Sequence, residues 1–343
     1  MATDLYTLDM AALTALVREM NQPAFRAKQL WGWLYERGAQ DFSEMSNLPR
    51  GFRERLSAEC RLGSLSTVVE QRSEDGTIKR LYRLPDGKSI ESVLMCYADN
   101  RRTACISSQA GCAMGCTFCA TGQMGFARHL TADEIFEQAQ RFSAELQKKG
   151  ERLSNVVMMG MGEPLHNYDA ALESIRRLMR DLGIGARHIT ISTVGLPKGI
   201  RRFAAEGLQV KLAISLHAAT DAVRSSMLPV NRKYPISELL DSVREYIEVS
   251  GRRVTFEWAL IAGENDSVAE AARLGRLLRG MKCHVNLIPL NPTKEYGGRP
   301  TSAAEVAAFV AELGRHRIPA TVRVRRGIDI DAGCGQLSER VDG

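Results

Sequence analysis

The chain of 343 residues is 44% hydrophobic and 25% charged, with 11 prolines. This composition excludes collagen-like, coiled-coil and disordered classes, and the length suffices for one large domain or two smaller ones without disulfide support. Forty-six basic against 40 acidic residues give a net charge of +6, a mild lean toward an anionic partner that does not by itself make a nucleic-acid protein.

Residues 9–20 place Leu13, Leu16, Val17 and Met20 on one face behind an Asp9 N-cap, and Pro23 opens a second helical stretch ending near Gly38. A third helix fits 49–60, so 1–60 reads as a small helical module. From 67 to 108 the pattern alternates around the turn signals Asp75-Gly76, Asp86-Gly87 and Asp99-Asn100, which predicts β-hairpins, assigned to 61–104. Thr131 with Glu134 forms a capping box for a helix reaching about Lys149. Strand candidates follow at 155–159, 188–193, 209–216, 253–260, 284–290 and 319–325, separated by helices. The class is α/β, with a parallel sheet covered by helices, either a barrel or a doubly wound sheet. In both, ligands gather at the C-terminal strand ends, here 160–164, 192–195, 215–217 and 289–292.

No run approaches ~18 uninterrupted apolar residues, and the opening MATDLYTLDM lacks the basic and apolar regions of a secretory leader. A cytoplasmic location without membrane contact is the expectation, and eight cysteines kept reduced there serve metal or redox chemistry more readily than crosslinking. Cys112, Cys116 and Cys119 lie within eight residues in GCAMGCTFC. Three such thiolates can ligate three irons of a [4Fe–4S] cluster and leave the fourth open to the amino and carboxylate groups of S-adenosylmethionine. A zinc site wanting a fourth ligand, and buried thiols acting as small hydrophobes, are the alternatives. Cys60, Cys96 and Cys283 have no partner spacing and read as structural.

The CxxxCxxC loop resembles that of radical S-adenosylmethionine enzymes. More narrowly, the chain is similar to the bacterial dual-specificity RNA (adenine-C2)-methyltransferases, from FRAKQLWGWLYERG (25–38) through CISSQAGCAMGCTFCATGQMGF (105–126), VVMMGMGEP (156–164), ISTVG (191–195), LAISLHA (212–218) and NLIPLNP (286–292) to RGIDIDAGCGQL (326–337). The resemblance implies a partial (βα)6, TIM-like radical SAM barrel over 105–325, with the helical module, the hairpin extension and a C-terminal tail, 326–343.

It also implies a reaction. One S-adenosylmethionine methylates Cys334, and a second is cleaved reductively at the cluster. The 5′-deoxyadenosyl radical then takes hydrogen from that methyl, and the carbon radical adds to adenine C2, joining protein to RNA. Cys105 resolves the adduct by forming a Cys105–Cys334 disulfide, and Glu91 matches the position of the base that removes the C2 proton. Gly162 and Glu163 are implied at the cofactor's amino group, with Ser192, Ser215, Leu216, His217 and Asn291 lining the rest. The implied substrates are 23S rRNA and tRNA, with an electron donor such as flavodoxin; nothing fixes an oligomeric state, and a monomer is the default.

For RNA, Arg101-Arg102, Arg201-Arg202, Arg232-Lys233, Arg252-Arg253 and Arg323, Arg325 and Arg326 offer phosphate contacts, and Arg26, Lys28, Trp31, Trp33 and Arg37 suit backbone contact and stacking. Each of these also reads as solvated surface or, for the tryptophans, as core. A C8-methylating resistance enzyme is the closest rival; a radical enzyme acting on a small molecule and an iron–sulfur electron carrier are more distant ones.

Overall fold

The structure is a computed structural model that describes residues 2–338; the last five residues assigned to the tail, 339–343, lie outside the described residues. Helices α1 (Met10–Glu19), α2 (Phe25–Tyr35) and α3 (Arg50–Glu59) build the N-terminal module. Asp9 caps α1 by accepting from the Ala12 N–H at 2.8 Å and so satisfies one of the donors a helix start leaves open. Leu13, Val17, Leu30, Leu34, Phe52 and Leu56 are buried between the three helices.

This module is docked on α4 (Ala132–Lys148), which starts at the Thr131–Glu134 capping box. Gln140 donates to the Leu34 carbonyl at 2.7 Å and Gln147 to that of Tyr35 at 2.9 Å, so the C-terminal carbonyls of α2 find partners on another helix. The buried Glu137 carboxylate accepts from the Ser64 and Leu65 N–H groups at 2.7 and 3.0 Å, which fixes the chain where it leaves the module.

One ten-stranded sheet carries the rest of the molecule. Strands β1 (Ser66–Arg72), β2 (Ile78–Arg83) and β3 (Ser89–Cys96) form an antiparallel meander whose turns place Gly76 and Gly87 at φ 82°. Strand β4 (Arg102–Cys105) closes this meander and also begins the parallel sheet: Cys105 faces Val93 across an antiparallel ladder and Val157 across a parallel one. Parallel strands follow at β5 (Asn155–Met158), β6 (Ile189–Thr193), β7 (Lys211–Ser215), β8 (Val254–Leu260), β9 (Cys283–Pro289) and β10 (Ala320–Val322). Crossovers run through α4, α5 (Tyr168–Arg180), α6 (Pro197–Ala205), α8 (Ile236–Ser250), α9 (Val268–Leu277) and α10 (Ala303–Arg315), with the short α7 (Asp221–Met227) ahead of α8.

Six βα units and a final three-residue strand thus form a partial TIM-like barrel, with β1 and β10 as the sheet's two edges. The hydrophobic pattern began the parallel strands at 155; β4 is one more, and the division between 104 and 105 falls inside a strand. Apolar residues such as Leu212, Ile214, Phe256, Trp258, Val285 and Leu287 are buried on the strands, as a sheet covered by helices requires.

The last strand also ends sooner than 325. From Arg323 the chain leaves the sheet and reaches across to the β1–β2 turn. There the Gly327 N–H donates to Asp75 at 3.0 Å, Ser73 Oγ donates to Asp329 at 2.6 Å, and Lys79 Nζ on β2 donates to the Asp331 carbonyl at 3.4 Å. The tail therefore spans the opening between the two sheet edges. No helix among the described residues is long and apolar enough to cross a membrane.

Candidate active site

A cavity opens at the C-terminal ends of the parallel strands, and Cys112, Cys116 and Cys119 line one wall of it. Their loop is closed by a small antiparallel pair, Gln109–Gly111 with Phe126–His129. The turn is tight enough that a Cβ on Gly122 would meet the Cys116 backbone at 2.8 Å, so only glycine fits there. Burial pushes the Cys112 thiol up to about 12 and raises Cys116 and Cys119 as well, with the neighbouring sulfurs adding repulsion at Cys112 and Cys116. Positive metal charge reverses that preference, because a coordinated thiol gives up its proton. Among the described residues no three Cys, His, Asp or Glu side chains converge on a point that one ion could occupy. Three thiols of one loop on one cavity wall suit a cluster, in which each ligates a different iron.

Gly162, Glu163, Ser192, Ser215, His217 and Asn291 line the same cavity. Gly162 has φ 98°, and a Cβ there would lie 2.5 Å from that of Gln109. The Glu163 side chain is buried and accepts from the Val194 N–H at 2.7 Å and the Leu165 N–H at 2.9 Å; burial nevertheless raises its carboxyl to about 7. His217 accepts the Ala259 N–H on Nδ1 at 2.9 Å. Burial, and then the Arg224 charge, lower its pKa to about 3, so it is a neutral ring whose other nitrogen carries the proton.

Two expected residues stand apart from this wall. Leu216 is fully buried and is not among the cavity residues; it contributes backbone, its N–H donating to the Glu257 carbonyl at 3.1 Å. Glu91 is also outside the cavity wall, buried on β3 rather than solvated. Lys79 Nζ lies 3.4 Å from one of its oxygens, and the Ser338 N–H donates to the other at 2.9 Å. The carboxylate therefore meets the tail directly.

Cys105, at the end of β4, and Cys334, on the tail, line this cavity too, both as free thiols. Burial pushes Cys105 up to about 12, Cys334 adds to that, and Arg323 opposes it. Cys334, whose residue is exposed at the cavity mouth, is raised by the desolvation of its place on this wall and eased by Arg323. Four hydrogen bonds lay the tail over the site. Asn291 donates to the Cys334 carbonyl at 3.1 Å and the Ala120 N–H to that of Gly335 at 2.8 Å; Thr121 Oγ1 donates to the Leu337 carbonyl at 2.6 Å, and Gln336 to that of Pro292 at 2.9 Å.

The basic residues are less available than their sequence suggests. Arg323 lines the cavity instead of the outer surface. Arg102 pairs with Glu151, Arg201 with Glu245 and Arg202 with Asp169, while Arg101 and Arg326 both stack on Tyr97. Trp31 and Trp33 pack partly buried against the module core, Trp33 donating to Asn47 at 2.6 Å under the Arg37 guanidinium. Three residues went unnoticed in the sequence. Gln109 accepts the Glu163 N–H at 2.9 Å, Glu257 lines the cavity with Asn286 donating to it at 2.7 Å, and Arg224 lies fully buried behind it.

Residues 106–275 match the radical SAM superfamily, whose enzymes use a [4Fe–4S] cluster and S-adenosylmethionine. Residues 3–62 match the ribosomal RNA large subunit methyltransferase N-terminal domain. The chain is 50% identical over 344 residues to dual-specificity RNA methyltransferase RlmN 1 of Myxococcus xanthus, covering 99% of this chain and 96% of that relative. It also superposes on the crystal structure of a radical SAM methyltransferase from Sphaerobacter thermophilus with a TM-score of 0.93 at 48% identity, covering 98% of this chain and all of that one. Five thiols on one cavity at the strand ends agree with that kinship, and the matches over nearly the whole length show that this chain belongs to the RlmN family of radical SAM RNA methyltransferases.

Proposed function

We propose that the protein methylates C2 of a specific adenine in 23S rRNA and of an adenine in tRNA, using Cys334 as methyl carrier and Cys105 as resolving thiol. One observation carries this reading: Cys105 and Cys334, 229 positions apart in sequence, line a single cavity with the three cluster thiols. When bound, the cluster and S-adenosylmethionine supply the methyl group and the one-electron chemistry that an electron-poor ring carbon requires.

The chain's own residues do the rest. Cys112, Cys116 and Cys119 hold the cluster. Glu163, fixed by two backbone donors, presents a carboxylate to the cofactor's amino group, while Ser192, Ser215, His217 and Asn291 hold its remaining polar groups and Leu216 acts through its backbone. Cys334 loses its proton and accepts a methyl by displacement; Arg323, on the same wall, favours the thiolate. After the methyl carbon has bonded to C2, Glu91 takes the C2 proton. The Cys105 thiolate then attacks Cys334 sulfur and the carbon–sulfur bond breaks with its electron pair going to the methylene on adenine C2, which takes up a proton to become methyl; the adduct's unpaired electron returns to the electron carrier, and a disulfide remains. Each turnover consumes two S-adenosylmethionine molecules, and a donor of the flavodoxin type supplies the electron.

The target edge of adenine is accessible only when the base leaves its stack, so an extruded or looped nucleotide is the substrate form. The test is anaerobic incubation of cluster-loaded protein with S-adenosylmethionine, reductant and RNA fragments, followed by mass analysis of the nucleosides. 2-Methyladenosine is the expected product. 8-Methyladenosine, or cofactor consumption with no methylated base, overturns the assignment.

A further inference from the structure

Behind the cofactor wall, Arg224 of α7 is fully buried. Its guanidinium donates to the Leu216 carbonyl at 3.1 Å, to the Val194 and Ser215 carbonyls at 2.5 and 3.2 Å, and to Asn231 Oδ1 at 2.8 Å. These four acceptors are all neutral. They tie the end of β6 to the end of β7, the backbone that carries Ser192, Ser215 and His217. The nearby Asp221 carboxylate meets Arg224 only through Asn231: it accepts from Asn231 Nδ2 at 2.9 Å and from the Ile236 N–H at 2.8 Å, while Asn231 Oδ1 accepts from Arg224.

A guanidinium keeps its charge at neutral pH even when buried. A buried charge without a direct ion pair is costly, and α7 also reaches the loop that carries the three thiols. The Met227 carbonyl accepts from the Thr117 N–H at 3.0 Å and from Thr117 Oγ1 at 3.4 Å, inside the cluster loop. Cys116 packs against the apolar cluster that contains Val194, Met227 and Leu228, and Val194 is also one of the residues whose carbonyl Arg224 holds. The segment 220–231 thus joins the strand ends to the loop that holds the thiols.

We propose that Arg224 is the counter-cation of the thiolate-ligated cluster and the positioning residue of the cofactor cradle. This rests on the reading of Cys112, Cys116 and Cys119 as cluster ligands. On reduction the cluster gains one electron and its negative charge grows; a fixed positive charge in the same low-dielectric wall favours that form and raises the reduction potential. The electron comes from the external donor, and no covalent bond in the protein changes.

The test uses the full chain with Arg224→Gln, which removes the charge, and Arg224→Lys, which keeps the charge but cannot hold four acceptors. Iron and sulfide content and visible absorbance are measured first, on wild type as well; a wild type that assembles no cluster overturns the ligand reading and, with it, this proposal. A redox titration followed by electron paramagnetic resonance then reads the midpoint. Arg224→Gln is expected at least tenfold less reduced at the wild-type midpoint, a shift of about 59 mV for one electron, with Arg224→Lys within threefold of wild type. Both should bind S-adenosylmethionine at least tenfold more weakly. A folded, cluster-loaded Arg224→Gln with the wild-type midpoint reduces Arg224 to a structural brace and overturns the proposal. Where Arg224→Gln does not fold or load, hydrogen exchange on wild type decides: cluster loading should slow exchange across 215–231 at least tenfold, and unchanged exchange there overturns the counter-cation.

Discussion

Asn291 donates its side-chain amide to the main-chain carbonyl of Cys334 at 3.1 Å, so the end of β9 and the thiol-bearing tail are held by one side chain. Its own Oδ1 is buried with no hydrogen-bond partner among the described residues, an acceptor that a bound cofactor's donor can satisfy. Asn291→Ala removes both functions. The expected result is roughly tenfold weaker S-adenosylmethionine binding, in line with ~1.4 kcal/mol for a buried hydrogen bond, and slower methylation of Cys334, read by equilibrium dialysis and intact-protein mass, with cluster content unchanged. Normal binding and methylation would show that the contact is incidental.

Replacing Cys112, Cys116 and Cys119 together by alanine should abolish the visible absorbance and bound iron of the reconstituted protein. Survival of a full cluster in that variant refutes the ligand assignment.

The two remaining cavity thiols should fail at different stages. Cys334→Ala retains the cluster and accepts no methyl, whereas Cys105→Ala proceeds to the covalent stage and accumulates a protein–RNA species joined through Cys334, visible as a slow-migrating band destroyed by nuclease. Turnover at the wild-type rate by Cys105→Ala, with no trapped species, means that release takes another route.

Glu163 sets a pH signature. Its carboxyl is held up at about 7 from an ordinary 4.5 by burial. In the cofactor-free protein its stabilising contribution is therefore full below about 4.5 and is lost as pH rises through about 7. The difference is worth ~3 kcal/mol. Melting curves from pH 5 to 8 should show wild type declining relative to Glu163→Gln. A cofactor ammonium favours the ionised form, so S-adenosylmethionine affinity should rise through pH 7 in wild type and stay flat in Glu163→Gln. Parallel pH profiles for the two proteins would falsify this role.

Glu137→Ala tests how the helical module is docked. The substitution strands the Ser64 and Leu65 N–H groups and deprives Arg141 of its partner at 2.7 Å. A loss of ~3 kcal/mol in urea unfolding is expected for buried donors left unsatisfied, with faster proteolysis near Arg61. An unchanged midpoint and an unchanged cleavage pattern would show that the other contacts of α4, through Gln140 and Gln147, secure the module without Glu137.

Local chemistry was readable wherever neighbours in sequence determine it. The Asp9 cap and the Thr131–Glu134 box are contacts over three residues, and both formed. That the segments carrying Glu163, Ser192, His217 and Asn291 share one cavity was legible because the ends of parallel strands face one side of the sheet. Leu216 shows the limit of reading a motif without its side-chain alternation: Ser215 and His217 reach the cavity, while the residue between them turns into the core. Arg224 was hidden for another reason. Three of its four acceptors are backbone carbonyls, which leave no trace in residue identity. The same holds for Arg323, whose position among other arginines reads as a charged surface until the tail is folded across the opening. Strand β4 escaped because RTAC is too short to show a period, and its parallel partner lies about fifty residues on.

Strand β4 serves the meander on one side and the barrel on the other, and this bears on any attempt to cut the protein into modules. A fragment starting at residue 102 would keep every cysteine of the cavity. Yet it would carry Cys105 on a bare edge, its outward N–H and C=O groups seeking a new strand, and it would lack the β1–β2 turn on which the tail is moored. Such a fragment is expected to associate through that edge. The meander is therefore as much a part of the thiol chemistry as the cluster loop, and transplanting this site to another scaffold means bringing residues 66–105 with it.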